Sequence, residues 1–95
     1  MRFEEHCVEC QLILGESFAE VHLWLDEFAG APGIGMKHRC RRHHRAGIEE
    51  ARRLFGQRGA QAALLHVMSD YKEEGWRPGC HFPEDESDYR KTGLF

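Results

Sequence analysis

The residues of this chain best suited to chemistry are its histidines, and two of those in the predicted helices precede an aspartate by four positions. Seven histidines occur among the 95 residues. His22 precedes Asp26 and His66 precedes Asp70, and residues four apart share one face of a helix. Neutral imidazole binds zinc, iron, nickel and copper, and a carboxylate can complete such a site or orient a histidine. The pattern therefore favours a divalent transition-metal site, with zinc as the first candidate.

The densest group of candidate ligands is the segment 38–44, which holds three of the seven histidines. Ligands in helical metalloproteins come from facing helices and project inward, so this segment is expected to meet the two His-x3-Asp pairs. The predicted ligand set is His6, His22, His38, His43, His44, His66, Asp26 and Asp70.

Four helices are predicted to position these residues, at about 2–14, 18–29, 36–56 and 59–74, because apolar residues recur there at helical spacing. Ser17, with Glu20 three residues later, has the pattern of a capping box for the second helix. The glycines of 30–35 predict a loop, and Gly56 and Gly75 predict helix ends. The expected fold is a single all-α domain over 1–95, a compact bundle of about four helices (1–75) followed by an irregular C-terminal tail (76–95). That tail is expected to be a loop with one short element that lays Trp76, Phe82, Tyr89 and Phe95 against the helices.

Helical phase separates the candidate ligands. If 36–56 is one helix, His44 lies on the apolar face with Ile48 and points inward, with His43 beside that face. The same reasoning places His66 and Asp70 nearly opposite the apolar face of the fourth helix. These two residues are therefore expected to be exposed unless another segment covers them.

The four cysteines offer a second constellation. Cys7 and Cys10, with Cys40 and His43, give the spacing C-x2-C and C-x2-H, and zinc sites use such ligands. The alternatives are buried thiols or redox use, because Cys7 and Cys10 share the apolar face of the first helix. Cys80 is isolated from the others along the chain.

A third constellation is basic. Arg39, Arg41, Arg42 and Arg45 lie in a stretch without acids, and cations on one surface can bind phosphates. The net charge of −3 argues against general nucleic-acid binding, and the acidic residues of 84–88 can pair with these arginines. A solvated face paired with that acidic segment is the alternative interpretation.

Composition limits the cellular setting. The first residues lack the apolar stretch of a signal peptide, and no apolar run approaches the roughly 20 residues that cross a bilayer. A cytoplasmic protein with reduced cysteines is expected. A core of this size leaves apolar surface uncovered, so a homodimer is a possible assembly.

The string His38-Arg39-x2-Arg42-His43-His44-x2-Gly47-Ile48, followed by Phe55-Gly56, resembles the central signature of a family of small uncharacterised bacterial proteins. The same resemblance extends to His6, to His22-Leu-Trp-Leu-Asp26 and to His66-Val-Met-Ser-Asp70, and so covers about residues 6–70. It implies no activity. It does imply that the His/Asp set belongs together, and it gives the cysteines no part.

The leading function is therefore binding of a transition metal by the His/Asp set. An open coordination position would allow a metal-dependent hydrolase-like activity, for which no substrate can be named. A non-catalytic interaction module with the histidines in a structural polar network is the alternative. A second and weaker alternative is nucleic-acid or anion binding through Arg39, Arg41, Arg42 and Arg45. No nucleophile elbow, phosphate loop or H-E-x-x-H motif is present.

Overall fold

The chain folds as helices around one small core. The computed structural model describes residues 1–29, 31 and 35–92. Within them lie α1 (Phe3–Leu14), α2 (Ala19–Leu25), a short 3-10 helix (Gly35–Arg41), α3 (Arg45–Glu73) and α4 (Glu86–Thr92). The described part of the chain contains no strand, which confirms the prediction of a compact all-α bundle. None of its helices has the length and apolar character that a membrane span requires.

The first two helices differ in how well the sequence predicted them. α1 begins after Arg2, whose amide donates to the Glu5 carboxylate (3.0 Å), and ends at Gly15, whose φ of 87° suits glycine. The Ser17 cap predicted for α2 is wrong, because Phe18 occupies the N-cap position with a φ of 55°. α2 ends at Leu25, so the chain turns at Asp26 rather than continuing as helix to 29.

The predicted helix over 36–56 is wrong in its first half. Residues 35–41 form the 3-10 helix, and α3 begins only at Arg45. His44 is the N-cap of α3 in extended conformation, so the helical phase assigned to Cys40, His43 and His44 does not apply.

Gly56 marks a kink inside α3 rather than a helix end. Its φ of 82° and ψ of −177° lie in a region open almost only to glycine, and helix continues on both sides. The helices predicted at 36–56 and 59–74 are thus in part the two halves of α3.

The second half of α3 buries more than the predicted apolar face. His66 and Asp70 are buried together with Val67 and Tyr71, whereas Leu64 is 42% exposed. Small residues at Ala62 and Ala63 are fully buried and let α1 and α2 pack closely against this face. The neighbouring helices thus cover the polar pair, which the phase of an isolated helix cannot reveal.

The C-terminal segment contains one short helix, α4. Trp76, Phe82 and Tyr89 pack around Tyr71, with ring centroids 6.4, 5.3 and 6.0 Å from it, as expected. The carbonyls of Pro83 and Glu84 accept hydrogen bonds from the first amides of α3, at 3.0 and 2.8 Å. The predicted contact of Phe95 and most of the predicted loop at 30–35 lie outside the described residues.

Candidate metal centre

Six histidine and aspartate side chains meet where α1, α2 and α3 converge. α1 supplies His6, α2 supplies His22, and the turn after α2 supplies Asp26. His43 comes from the bend before α3, and His66 and Asp70 lie one turn apart in α3. Five of the six are buried, and Asp26, with 29% of its side chain exposed, lies at the edge facing solvent.

Four of these side chains surround a common point. One donor atom from each of Asp26, His43, His66 and Asp70 lies within 4.8 Å of all the others. His43 Nε2 is 3.1 Å from Asp70 Oδ2 and 3.4 Å from Asp26 Oδ1. His66 Nε2 is 3.4 Å from Asp70 Oδ2 and 3.4 Å from Asp26 Oδ2.

These separations are close to the edges of a metal coordination tetrahedron, but Asp26 presents Oδ1 to His43 and Oδ2 to His66 and would have to turn to bind through one oxygen. Ligand atoms about 2.0–2.1 Å from a tetrahedral zinc ion are about 3.3 Å from one another. The four measured nitrogen–oxygen distances span 3.1–3.4 Å. The ring planes of His43 and His66 are inclined at 72° with centroids 5.1 Å apart, so these two rings are not stacked. We call Asp26, His43, His66 and Asp70 the four-ligand set.

The protonation states of the four-ligand set suit a cation. Burial opposes ionisation of Asp70, but hydrogen bonds from His43 and His6 outweigh it and hold the pKa of Asp70 well below its usual range. Burial also opposes ionisation of Asp26, yet the neighbouring imidazole of His66 lowers the pKa of that carboxyl. Burial lowers the pKa of His43 to about 4, so its ring is neutral at physiological pH. The two carboxylates are thus ready to bind metal, whereas the neutral ring of His43 donates from Nε2 to Asp70 Oδ2 and must move that hydrogen to Nδ1 before Nε2 can bind.

His66 is the member whose charge depends on what occupies the centre. Burial lowers the pKa of His66, but Asp26 and Asp70 outweigh burial and raise it above 6.5. Its Nε2 is buried and has no hydrogen-bond partner among the described residues, although two carboxylate oxygens lie 3.4 Å away. Buried Asp26 Oδ1 also lacks a hydrogen bond. Atoms arranged in this way call for a proton or a cation between them.

His6, His22 and His66 form a second group with ligand atoms within 4.8 Å of one another. Their rings are stacked, with His6 and His66 inclined by only 13° at a centroid separation of 3.5 Å. An imidazole lone pair lies in the plane of its ring, so stacked rings point past one another rather than at a shared ion. His6 instead donates from Nε2 to Asp70 Oδ1 (3.1 Å), and His22 Nδ1 faces His66 Nδ1 (2.9 Å).

Two predicted ligands lie elsewhere. His44 is buried but points toward the backbone: its Nδ1 accepts from the Gly47 amide (3.0 Å) and its Nε2 lies 3.1 Å from the carbonyls of Cys40 and Arg41. Its inward orientation, read as a sign of metal ligation, therefore reflects helix capping. His38 lies at the rim, with Nε2 3.5 Å from Asp26 Oδ1, and belongs to neither group.

The basic segment is divided between the site and the surface. Arg39 is buried, and its guanidinium lies 3.6 Å from Asp70 and 3.7 Å from Glu74. Arg42 pairs with Glu27 (2.7 Å) and Arg45 with Glu84 (3.2 Å). The pairing expected between the basic segment and 84–88 is thus present for Arg45, while Arg41 is exposed.

The cysteines take no part in either His/Asp group of the described residues. Cys10 and Cys40 are buried, Cys7 is partly buried and Cys80 is exposed. Burial raises the pKa of Cys10 to about 11, which keeps this side chain a thiol. Cys10 therefore fits the buried-thiol alternative better than zinc ligation.

Two contributors to the site were missed from the sequence. A Cβ added to Gly47 would lie 1.9 Å from the carbonyl oxygen of Arg42, so only glycine lets the first turn of α3 abut the residue before His43. The hydroxyl of buried Tyr71 donates to the carbonyl of His43 and fixes its backbone. The glycine four residues after His43 could have signalled this close approach, whereas Tyr71 carries no such signal.

The family comparison agrees with the resemblance seen in the sequence. The sequence model of a domain of unknown function (DUF6915) matches residues 3–73, a stretch that includes all six residues of the cluster. Pro83 and Glu84, whose carbonyls accept hydrogen bonds from the first amides of α3, lie beyond the match. No curated protein and no solved structure matches the chain.

Proposed function

The chain belongs to the DUF6915 family, a domain family of unknown function, and we propose that it binds one divalent transition-metal ion, with zinc as the first candidate. The ligands are Asp26, His43, His66 and Asp70. The observation that carries the proposal is that one donor atom from each of the four residues lies within 4.8 Å of all the others, with nitrogen–oxygen separations of 3.1–3.4 Å that are close to the edges of a tetrahedral site. The ligand set, two imidazoles and two carboxylates, suits zinc and its neighbours among the divalent transition metals.

The surrounding residues support the proposal because they orient the ligands. His6 donates to Asp70 Oδ1, which leaves Oδ2 directed at His43 and His66. Ligating carboxylates and histidines in metal sites are held in this way by further hydrogen bonds. The ion would join the end of α2, the residues before α3 and the second half of α3, and so would tie together elements that the small apolar core holds weakly.

A structural role for the ion is favoured over hydrolysis. Catalytic zinc sites use three protein ligands and keep one position for water, whereas four protein ligands complete a tetrahedron. With all four side chains bound, no tetrahedral position is left for a substrate. Metal-dependent hydrolysis would require one member of the set, and Asp26 at the exposed edge is the candidate, to move away.

The test is metal binding by protein purified without a histidine tag. Elemental analysis and calorimetric titration with zinc are expected to give about one equivalent per chain. Binding should also stabilise the fold, by about 2.7 kcal/mol at a free zinc concentration one hundred times Kd. Absence of bound metal together with a melting temperature that zinc does not change would reject the proposal.

Adjacent histidines supply a matched pair of variants. His43→Ala removes a ligand and should abolish stoichiometric binding, whereas His44→Ala removes a cap and should leave the stoichiometry at one. Asp26→Asn, at the exposed edge, tests a second ligand with little risk to the core. Equal zinc binding by the two histidine variants would contradict the assignment.

The structural polar network remains a second candidate, and a specific observation favours it. Asp70 already accepts hydrogen bonds from His6 and His43, both at 3.1 Å, without any ion. In that case a proton on His66 fills the position between the two carboxylates. His43→Ala would then destabilise the fold, and added zinc would not change the stability of the wild type.

A further inference from the structure

A hydrogen-bonded chain runs from the four-ligand set to the backbone between α1 and α2. His66 Nδ1 lies 2.9 Å from His22 Nδ1, and His22 Nε2 lies 2.9 Å from the carbonyl oxygen of Ser17. Both imidazoles are buried. The carbonyl oxygen of Ser17, at one end of this series of hydrogen bonds, determines which atom donates in each of them.

The Ser17 carbonyl determines which ring nitrogen of His22 carries a hydrogen. A carbonyl oxygen only accepts, so His22 Nε2 must carry a hydrogen and donate it. His22 is buried and forms no ion pair with a carboxylate of the described residues, so burial disfavours a positive charge on it. A neutral ring with hydrogen on Nε2 has a bare lone pair on Nδ1.

The lone pair on His22 Nδ1 determines the tautomer of His66 in turn. Since His22 Nδ1 can only accept, the hydrogen between the two rings belongs to His66 Nδ1. A neutral His66 then has no hydrogen on Nε2, the atom that faces the oxygens of Asp26 and Asp70 at 3.4 Å. The nitrogen therefore presents a lone pair to the proposed ion position, as a metal ligand must.

We infer that His22 is a positioning residue for the metal centre, and that it selects which nitrogen of His66 binds the ion. By accepting the Nδ1 hydrogen of His66, His22 directs Nε2 into the four-ligand set. The same hydrogen bond joins Nδ1 of His22 to Nδ1 of His66, so neither of these nitrogens is free for an all-imidazole site of His6, His22 and His66. The inference rests on the proposed function and adds to it a preference for a mixed oxygen and nitrogen site over an all-nitrogen one.

The tautomer can be measured without any metal. Long-range proton–nitrogen correlation spectra of metal-free wild-type protein in alkaline buffer, where the imidazoles are neutral, distinguish a protonated from a bare ring nitrogen. The expected result is hydrogen on Nδ1 of His66 and on Nε2 of His22. Hydrogen on Nε2 of His66 in its neutral form would overturn the inference, whether or not the protein binds zinc.

Two substitutions of His22 test the consequence for binding. His22→Gln can reproduce both contacts, because its amide oxygen accepts from His66 and its amide nitrogen donates to Ser17. His22→Leu has a similar volume and neither contact. Zinc affinity is expected to fall by about 10–100-fold in His22→Leu, as is usual when a residue that orients a ligand is lost, and to stay near the wild-type value in His22→Gln.

Other outcomes separate the possible failures. Unchanged affinity in His22→Leu would overturn the positioning role, and an equal loss in both variants would overturn it by making His22 itself a ligand. The cobalt absorption spectrum, which reports ligand number and type, should be the same for wild type and His22→Gln. His81→Gln, at an exposed histidine outside the cluster, is the control. Absence of zinc binding by the wild type would reject the proposed function, while the tautomer measurement would still decide the geometry.

Discussion

The buried ring of His43 should make the metal-free protein sensitive to mild acid. Burial lowers the pKa of His43 from 6.5 to about 4 in the folded protein, despite the opposing hydrogen bond to Asp70. Between these two values the unfolded chain takes up a proton that the folded chain does not. The stability of the fold therefore decreases as the pH falls from about 6.5 toward about 4.

The size of the effect follows from the shift. Because one pKa unit corresponds to about 1.36 kcal/mol, His43 contributes about 3 kcal/mol over its full range and about 2 kcal/mol between about pH 7 and about pH 5. For a domain of this length, 2 kcal/mol lowers the melting temperature by about 8–16 °C. His22, whose pKa burial also lowers to about 4, acts in the same direction. His66, whose pKa is raised, acts in the opposite direction, so a variant is needed to isolate His43.

The assay is thermal unfolding followed by circular dichroism in the presence of a chelator. His43→Gln keeps a donor for Asp70 but does not titrate, so its loss of stability between about pH 7 and about pH 5 should be about 2 kcal/mol smaller than that of the wild type. His81→Gln, at an exposed position, should behave as the wild type does. The reasoning would be refuted if His43→Gln and the wild type lost the same stability over this interval.

Three further predictions follow from the site. Zinc must displace the proton of His66, whose pKa is raised above 6.5, so the apparent affinity for zinc should fall as the pH drops through that pKa. Competition with a chelator at several pH values measures this affinity. An affinity independent of pH would contradict the prediction. His44→Ala should lower the free energy of unfolding of the metal-free protein by about 1 kcal/mol, because the hydrogen bond from the Gly47 amide is lost. Denaturant titration measures this change. An unchanged free energy of unfolding would show that the cap contributes nothing. Gly47→Ala should destabilise the fold by about 3 kcal/mol or more, because its Cβ would meet the Arg42 carbonyl at 1.9 Å. A free energy of unfolding equal to that of the wild type within error would exclude that close approach.

Much of the site could be anticipated from spacing alone. The two His-x3-Asp pairs drew attention to Asp26, His66 and Asp70, and the segment 38–44 drew attention to His43. All four are in the cluster. The spacing alone could not rank them, because a helical repeat states which residues share a face and not which other element that face meets.

The histidine pair His43-His44 shows why. Both are buried and adjacent in sequence, and the assumed helix favoured His44 as the inward residue. The chain instead bends at His43 and enters α3 through His44 in extended conformation, so the two rings meet different partners. One meets Asp70 and the other caps a helix. An N-cap histidine and a metal-ligand histidine have the same one-letter signature, and only the backbone path between 41 and 45 separates them.

The sequence by itself determined the composition of the site, the helical class of the fold and the glycines at which helices end or kink. These properties depend on local preferences: apolar spacing, the φ values open to glycine, and residue types able to bind metal. The tertiary structure alone decided that α1 and α2 cover the polar face of α3 and bury His66 and Asp70. It also decided that His22 meets His66 across 44 positions of the chain. Such contacts arise because neighbouring helices exclude water from a face that no single helix would bury, and burial then sets the charges of the groups enclosed there.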